Sequence, residues 1–330
     1  MYEGEKAGES LAKRPLSQPD NNGELLIDQK YGITPYQAQE TIAAINRGAH
    51  SGKPFAVTCS FFYPHAPMLP AAPYYGMYPV ASMPVPGSIA DPMTDSPYKN
   101  ANGRPGLPQY GNPELIKYMM SNYFGLVTEL DKWIGEIIAA LEKTGERENT
   151  LIIFLSDHGE MLGSHAMREK NVFYEESARI PLIINWKGKI KPAVIDRYAS
   201  SIDLFPTIMD YLNVQTDQRD GRSLRPAIEG TTAGNSFTVT EWLYNGPVQP
   251  THMIVEGGWK LFVSYDPASP LTRVLYNLTD DPLEMNNLIG NRNPARTQHI
   301  AKANELRDKM ASWLEERGSQ YSSQIRQIKF

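Results

Sequence analysis

The run TLIIFL, residues 150–155, ends in Ser156-Asp157-His158-Gly159, and after a charged stretch the chain turns apolar again at IPLIIN, residues 180–185. Short uncharged runs of this kind suit strands covered on both faces of a parallel sheet. PFAVTCSFFY, residues 54–63, repeats the pattern and ends at Pro64-His65-Ala66-Pro67. Between the first two runs, Tyr123, Leu126, Leu130, Ile134, Ile137 and Leu141 recur at helical spacing, from Asn112-Pro113 to Gly145. The spacing predicts one long helix, opened by an Asn cap with Pro behind it and closed by Gly. Strand, helix, strand, loop, strand is the rhythm of an α/β fold with a mixed, mainly parallel sheet flanked by helices.

Other elements follow from the same reading. A first helix starts at Thr34-Pro35, with Ala38, Ile42 and Ile45 on one face, and SSIDLFPTIMDYL is an amphipathic helix holding Pro206. The first 30 residues read as a loop or lid, and the Pro-rich stretch 64–113 as a long functional loop. After about Gly230 the texture changes: NSFTVTEWL, THMIVEGG, WKLFVSYD and RVLYNLTD are short strands separated by turn signals, followed by a terminal helix near residues 294–317. We therefore expect an α/β domain over residues 1–230, and a small antiparallel sheet with a terminal helix over 231–330.

Composition narrows the function classes. With 41% hydrophobic and 21% charged residues, the 330-residue chain can build a large core. A net charge of −5 without a basic stripe argues against a nucleic-acid surface. No apolar run approaches the roughly 18 residues of a membrane span. One cysteine, Cys59, excludes an internal disulfide and reads as a small buried hydrophobe.

The candidate chemistry sits where strands end, because ligands of open α/β sheets bind outside the carboxyl ends of their strands. Asp157 and His158 together offer a carboxylate and an imidazole, a donor pair suited to a divalent cation. Gly159 lets the backbone turn and approach a ligand. The competing reading makes Asp157 a turn cap and His158 an ordinary loop residue. Lys170, among Glu169, Glu175 and Glu176, belongs either to a solvated ion cluster or, as a compact charge, to an anion site. Glu175 or Glu176 is expected to pair with Arg179, and His165 is assigned to the surface or to a supporting position. His65, after the upstream strand, falls by the same carboxyl-end rule near the same crevice.

Taken in order, these segments resemble the sulfatases of the alkaline-phosphatase superfamily. The resemblance is carried by KPFAVTCSFFYPHAPMLP, by the stretch from NYFGLVTELDKW through SDHGEMLGSHAMREKNVFYEESARIPLII, by DGRSLRPAIEG, and by LYNLTDDPLEMNNL. It implies an alkaline-phosphatase-like α/β fold with a small C-terminal antiparallel sheet. It further implies that Asp157 and His158 are ligands of a divalent cation, usually calcium. His158 stands where many members have Asn, which widens the choice of metal. Lys170 would contact sulfate oxygens, and His65 would position the bridging oxygen or protonate the leaving group. The strands around His252 would help select a sulfated small molecule or glycan. Family members are mostly periplasmic, extracellular or lysosomal.

One departure is large. The family's C-x-P-S-R or S-x-P-x-R motif, whose Cys or Ser is oxidised to formylglycine, is not encoded in this chain, and Cys59 lies in C-S-F-F-Y instead. The expectation is a sulfatase-like sequence lacking the family's N-terminal third, inactive alone toward organic sulfate esters. A phosphonate or phosphate monoester hydrolase, or a non-catalytic anion-binding remnant, are the alternative readings.

Overall fold

A computed structural model describes residues 12–13, 22–98, 108–217, 220–244, 246–269 and 272–330. These residues form two compact units.

The first unit comprises Met1–Pro86, Pro108–Phe154 and Leu182–Lys189. Helix α1 (Ile33–His50) packs on the long helix α2 (Pro113–Thr144). The α1 face Thr34, Pro35, Ala38, Thr41 and Ile45 is buried, as are Leu115, Ile116, Met119, Met120 and Leu126 of α2. The ends of α2 follow the expected chemistry. Asn112 accepts from the Glu114 amide at 3.0 Å, Pro113 fills the first helical position, and Gly145 closes the helix in the left-handed region at φ 78°. The Pro-rich loop is pinned to this helix: Tyr78 bonds Thr128 at 2.7 Å, and the Ser121 hydroxyl donates to the Tyr78 carbonyl at 2.6 Å.

Strands β1 (Ile152–Leu155) and β2 (Leu182–Asn185) pair with each other, as their apolar runs predicted. Residues 54–63 do not form the expected covered strand. They have no ladder partner among the described residues and none is buried; the Gln37 side chain of α1 holds them through Ser60 O at 2.7 Å and Phe62 N at 3.3 Å. The composition suits a buried strand, but among the described residues no strand pairs with this segment.

The second unit comprises Gly87–Leu107, Leu155–Pro181 and Ile190–Phe330. Its centre is an antiparallel sheet of β3 (Phe237–Glu241), β4 (His252–Glu256), β5 (Trp259–Val263) and β6 (Val274–Asn277), paired in that order. Helix α3 (Leu204–Tyr211) precedes the sheet, and α4 (Arg296–Glu316) follows it. Alternation along the strands gives the sheet two apolar faces. Val239, Ile254, Leu261, Val263 and Leu275 meet Leu306, Met310 and Leu314 of α4. Met253, Val255, Phe262, Val274 and Tyr276 meet Tyr98, Met161, Met167, Val172, Phe173 and Tyr174. The stretch read as a charged loop thus covers one face of the C-terminal sheet. For that reason the second unit reaches upstream of residue 230, which lies within it.

The DP-x-E-x-N-N-L signature closes this unit. Asp281 accepts from the amides of Met285 and Asn286, and Asn287 accepts from the amides of Leu275 and Ile289. The Asn287 amide group also donates to the carbonyls of Asp95 and Arg273. One buried side chain therefore satisfies four backbone groups that would be costly to leave unpaired.

Candidate functional site

Directly after β1, Asp157 is largely exposed while His158 is half-buried. The His158 Nδ1–H donates to the Gly159 carbonyl at 2.8 Å, and Nε2 lies 3.4 Å from Asp157 Oδ2. A carboxylate oxygen and an imidazole nitrogen thus stand side by side and accessible to solvent. That arrangement fits two ligands of a divalent cation. Calcium takes six to eight oxygen-type donors, and among the described residues no group of three or more His, Cys, Asp or Glu side chains comes together.

Gly159 is required by sterics. Its amide donates to Ser177 O at 2.9 Å, and a Cβ there would stand 1.9 Å from Glu176 O. The glycine lets the end of β1 lie against the chain's own returning backbone.

Lys170 leaves a tightly folded loop. The Met161 amide donates to Glu169 O and the Gly163 amide to Met167 O, both at 2.8 Å. Glu160, whose carboxyl is pushed up by burial, accepts from the Leu162 and Glu169 amides. Leu162, His165, Ala166, Glu169 and Asn171 all adopt positive φ, a costly concentration for non-glycine residues. Lys170 itself is half-buried.

Of the two positions expected for His165, surface or supporting, burial excludes the first. It is not a surface residue: it is fully buried, its Nδ1 lies 2.7 Å from Asp91 Oδ2, its amide donates to Ser88 Oγ at 3.2 Å, and its ring stacks on Tyr174 at 3.9 Å. Its hydrogen-bond partners lie 74 and 77 residues upstream, so no local pattern announced them.

Glu175 pairs with Arg179 at 3.8 Å, as expected, and also with Lys260 at 2.9 Å. Lys260 is fully buried on β5 and also meets Glu284 at 2.8 Å. This buried ion cluster was missed, because Lys260 reads as an ordinary strand lysine in WKLFV.

His65 lies in the first unit. It is exposed, its Nδ1 donates to Ala66 O at 2.7 Å, and its ring packs 5.1 Å from that of Phe62. His252 does not offer itself to a substrate. The ring is fully buried, with Nδ1 2.8 Å from Thr251 Oγ1 and Nε2 3.1 Å from Glu241, its cross-strand partner, and the ring of Tyr321 packs edge-on against it. Cys59 is half-buried rather than buried; desolvation raises its thiol pKa, the opposite of what an activated nucleophile needs.

The fold and the family matches define the class. A phosphonate monoester hydrolase structure from Silicibacter pomeroyi superposes with a TM-score of 0.77 at 26% identity, over 95% of this chain and 66% of that one. The sulfatase family model matches residues 4–214, and a model described as N-sulphoglucosamine sulphohydrolase, C-terminal, matches residues 163–313. The chain belongs to the sulfatase family of the alkaline-phosphatase superfamily. It is 31% identical over 297 residues to the multifunctional alkaline phosphatase superfamily protein PehA of Trinickia caryophylli, covering 79% of this chain and 56% of that protein. It is 30% identical over 267 residues to the choline-sulfatase of Rhizobium meliloti, covering 78% and 51%. The chain thus spans about half the length of these curated relatives.

Proposed function

We propose that this chain carries half of the active site of a hydrolase of organic sulfate esters, with carbohydrate sulfates as the substrate class. The observation that supports this most is the Asp157–His158 pair, held open at the end of β1 in a chain of this family. The carbohydrate reading rests on the match of residues 163–313 to the sulphoglucosamine sulphohydrolase model. In this division, residues 1–230 are the partial catalytic domain and 231–330 the C-terminal subdomain.

Each residue has a distinct part. Asp157 and His158 contribute two ligands to a divalent cation, calcium first, whose charge would be set against the anionic substrate. The Lys170 ammonium, at the exit of its rigid loop, neutralises a sulfate oxygen as charge builds in the transition state. His65 donates a proton to the leaving oxygen. The residues present do not fit formylglycine, because Cys59 lies outside its motif and its thiol is held protonated by burial. The chain by itself is expected to be inactive.

A second reading, hydrolysis of phosphonate or phosphate monoesters, is favoured by the Silicibacter pomeroyi structure and the Trinickia caryophylli relative. The assay compares an aryl sulfate with an aryl phosphonate monoester, with calcium or manganese added. The expected result is no turnover of either by the isolated chain. In calorimetry, calcium should bind weakly, and Asp157→Ala should abolish the binding. Turnover that persisted in His65→Ala and Lys170→Ala would overturn the assigned roles. Calcium binding indifferent to Asp157→Ala would overturn the metal pair.

A further inference from the structure

The buried charges of the C-terminal sheet reach the strand-end pair through a short run of backbone. Lys260 on β5 and Glu284 in the DP-x-E-x-N-N-L segment are 0% and 1% exposed. Both hold Glu175: the Lys260 ammonium lies 2.9 Å from its carboxylate, and Glu284 accepts from its amide at 2.6 Å. Glu175 opens the helical turn Glu175–Ala178, whose cap residue, Tyr174, makes no capping bond with its side chain. Glu284, 109 residues downstream, supplies the acceptor instead.

The backbone of that turn presses against the end of β1. Ser177 O accepts from the Gly159 amide at 2.9 Å, and Glu176 O leaves no room for a Cβ on Gly159. The Gly159 carbonyl in turn holds the His158 ring at 2.8 Å, and the His158 amide donates to Asp157 Oδ1 at 2.9 Å. Bonds and close packing therefore run without a gap from Lys260 and Glu284 to His158 and Asp157, all within one compact unit.

Stability alone does not account for the charges. A buried ion cluster can often be exchanged for apolar side chains of similar volume without loss, because desolvation offsets the attraction. Apolar packing does not supply direction, whereas a charge-assisted bond fixes its partner in one place.

We infer that Lys260 and Glu284 are positioning residues for the cation site. They fix the Glu175–Ala178 turn, the turn fixes the Gly159 peptide, and that peptide orients the His158 ring and the Asp157 carboxylate. This holds on the reading of Asp157 and His158 as cation ligands, and it extends their support into the C-terminal sheet.

Manganese(II) alone is the probe, added to the isolated chain and followed by paramagnetic broadening of the His158 ring proton, with Asp157→Ala as background. The main variant, Lys260→Met with Glu284→Leu, keeps most of the volume and removes both bonds to Glu175. Its urea midpoint should stay close to that of the unaltered chain. Its manganese affinity should fall about tenfold, and its Gly159 amide should exchange about tenfold faster. Glu284→Gln, which keeps an acceptor for the Glu175 amide, should retain the affinity. Leu261→Ala, on the α4 face of the same strand, should lower the midpoint and leave the affinity of the folded protein unchanged. If the main variant does not fold, Glu175→Ala takes its place, because it removes the Lys260 bond and leaves the Lys260–Glu284 pair; a lowered affinity is again expected. Affinity and Gly159 exchange that stayed unchanged would overturn the inference. So would an equal loss of affinity in Leu261→Ala, which would mark general loosening. Absence of broadening in the unaltered chain would overturn the metal reading itself, and this positioning role with it, before any variant is compared.

Discussion

Replacing Lys260 by methionine isolates the buried ion cluster of the second unit. Methionine keeps much of the side-chain volume, so a cavity contributes little and the effect reports charge. In the native protein the ammonium lies 2.9 Å from Glu175 and 2.8 Å from Glu284. Glu284 is 1% exposed, whereas Glu175 retains access to water. Removing one partner of a buried pair costs about 3–5 kcal/mol, and because Glu175 stays partly hydrated we expect about 3 kcal/mol at neutral pH. The sign with pH follows from Glu284. Burial raises its carboxyl above the ordinary value and Lys260 holds it down, so removing Lys260 raises it further. A carboxyl whose folded pKa exceeds its unfolded one contributes stability that is complete below about 4.5 and is lost as pH rises through the folded value. The deficit of Lys260→Met should therefore be smaller near about pH 5 than near about pH 8. Adding Glu284→Gln should restore most of it, since no uncompensated charge is then buried. The assay is urea unfolding followed by tryptophan fluorescence at both pH values. A loss below about 1 kcal/mol at the higher pH, or an equal loss at both, would refute this account.

Two further outcomes follow from the site and the helices. Glu129 of α2 is 3% exposed and burial pushes its carboxyl up to about 7, so its contribution to stability is lost as pH rises from the usual carboxylate range through neutrality. Glu129→Gln should flatten the pH dependence of the melting temperature over that interval, and an unchanged profile would show that Glu129 ionises elsewhere. Gly159→Ala drives a methyl into the Glu176 carbonyl, which should cost about 1–3 kcal/mol by overpacking and displace Asp157 and His158. Differential scanning calorimetry and calcium titration should move together in that variant, and a stable protein with unaltered calcium binding would contradict the geometry.

Much of the fold could be read locally because local chemistry decides it. Asn112, Pro113 and Gly145 bound α2 by capping rules that operate within a turn of the chain, and the four C-terminal strands are marked off by the turn signals between their short runs. The strand-end position of Asp157 and His158 was legible for the same reason. What the residues could not disclose depends on distant partners. His165 is buried by Asp91, 74 residues away, and Lys260 by Glu175, 85 residues away. Residues 54–63 failed in the opposite sense. Their apolarity states that they prefer a covered environment, and only neighbouring strands can supply one. His252 misled because a histidine beside candidate substrate strands looks available until its ring nitrogens and burial are seen.

The Asn287 side chain imposes an order on biosynthesis. Its bond to the Asp95 carbonyl spans 192 residues, and the Arg292 amide reaches the Asp95 carboxylate across 197. At about 5–20 residues per second, a ribosome needs roughly 10–40 s to travel from one to the other. Through that interval the segment around Asp95, and the apolar side chains of residues 161–174, wait for the sheet that will cover them. The first unit has no such delay between its two helices, whose facing residues emerge within about a hundred residues of each other. The nascent chain is therefore most vulnerable to proteolysis and mispairing in its middle, and a chaperone that shields it should act there.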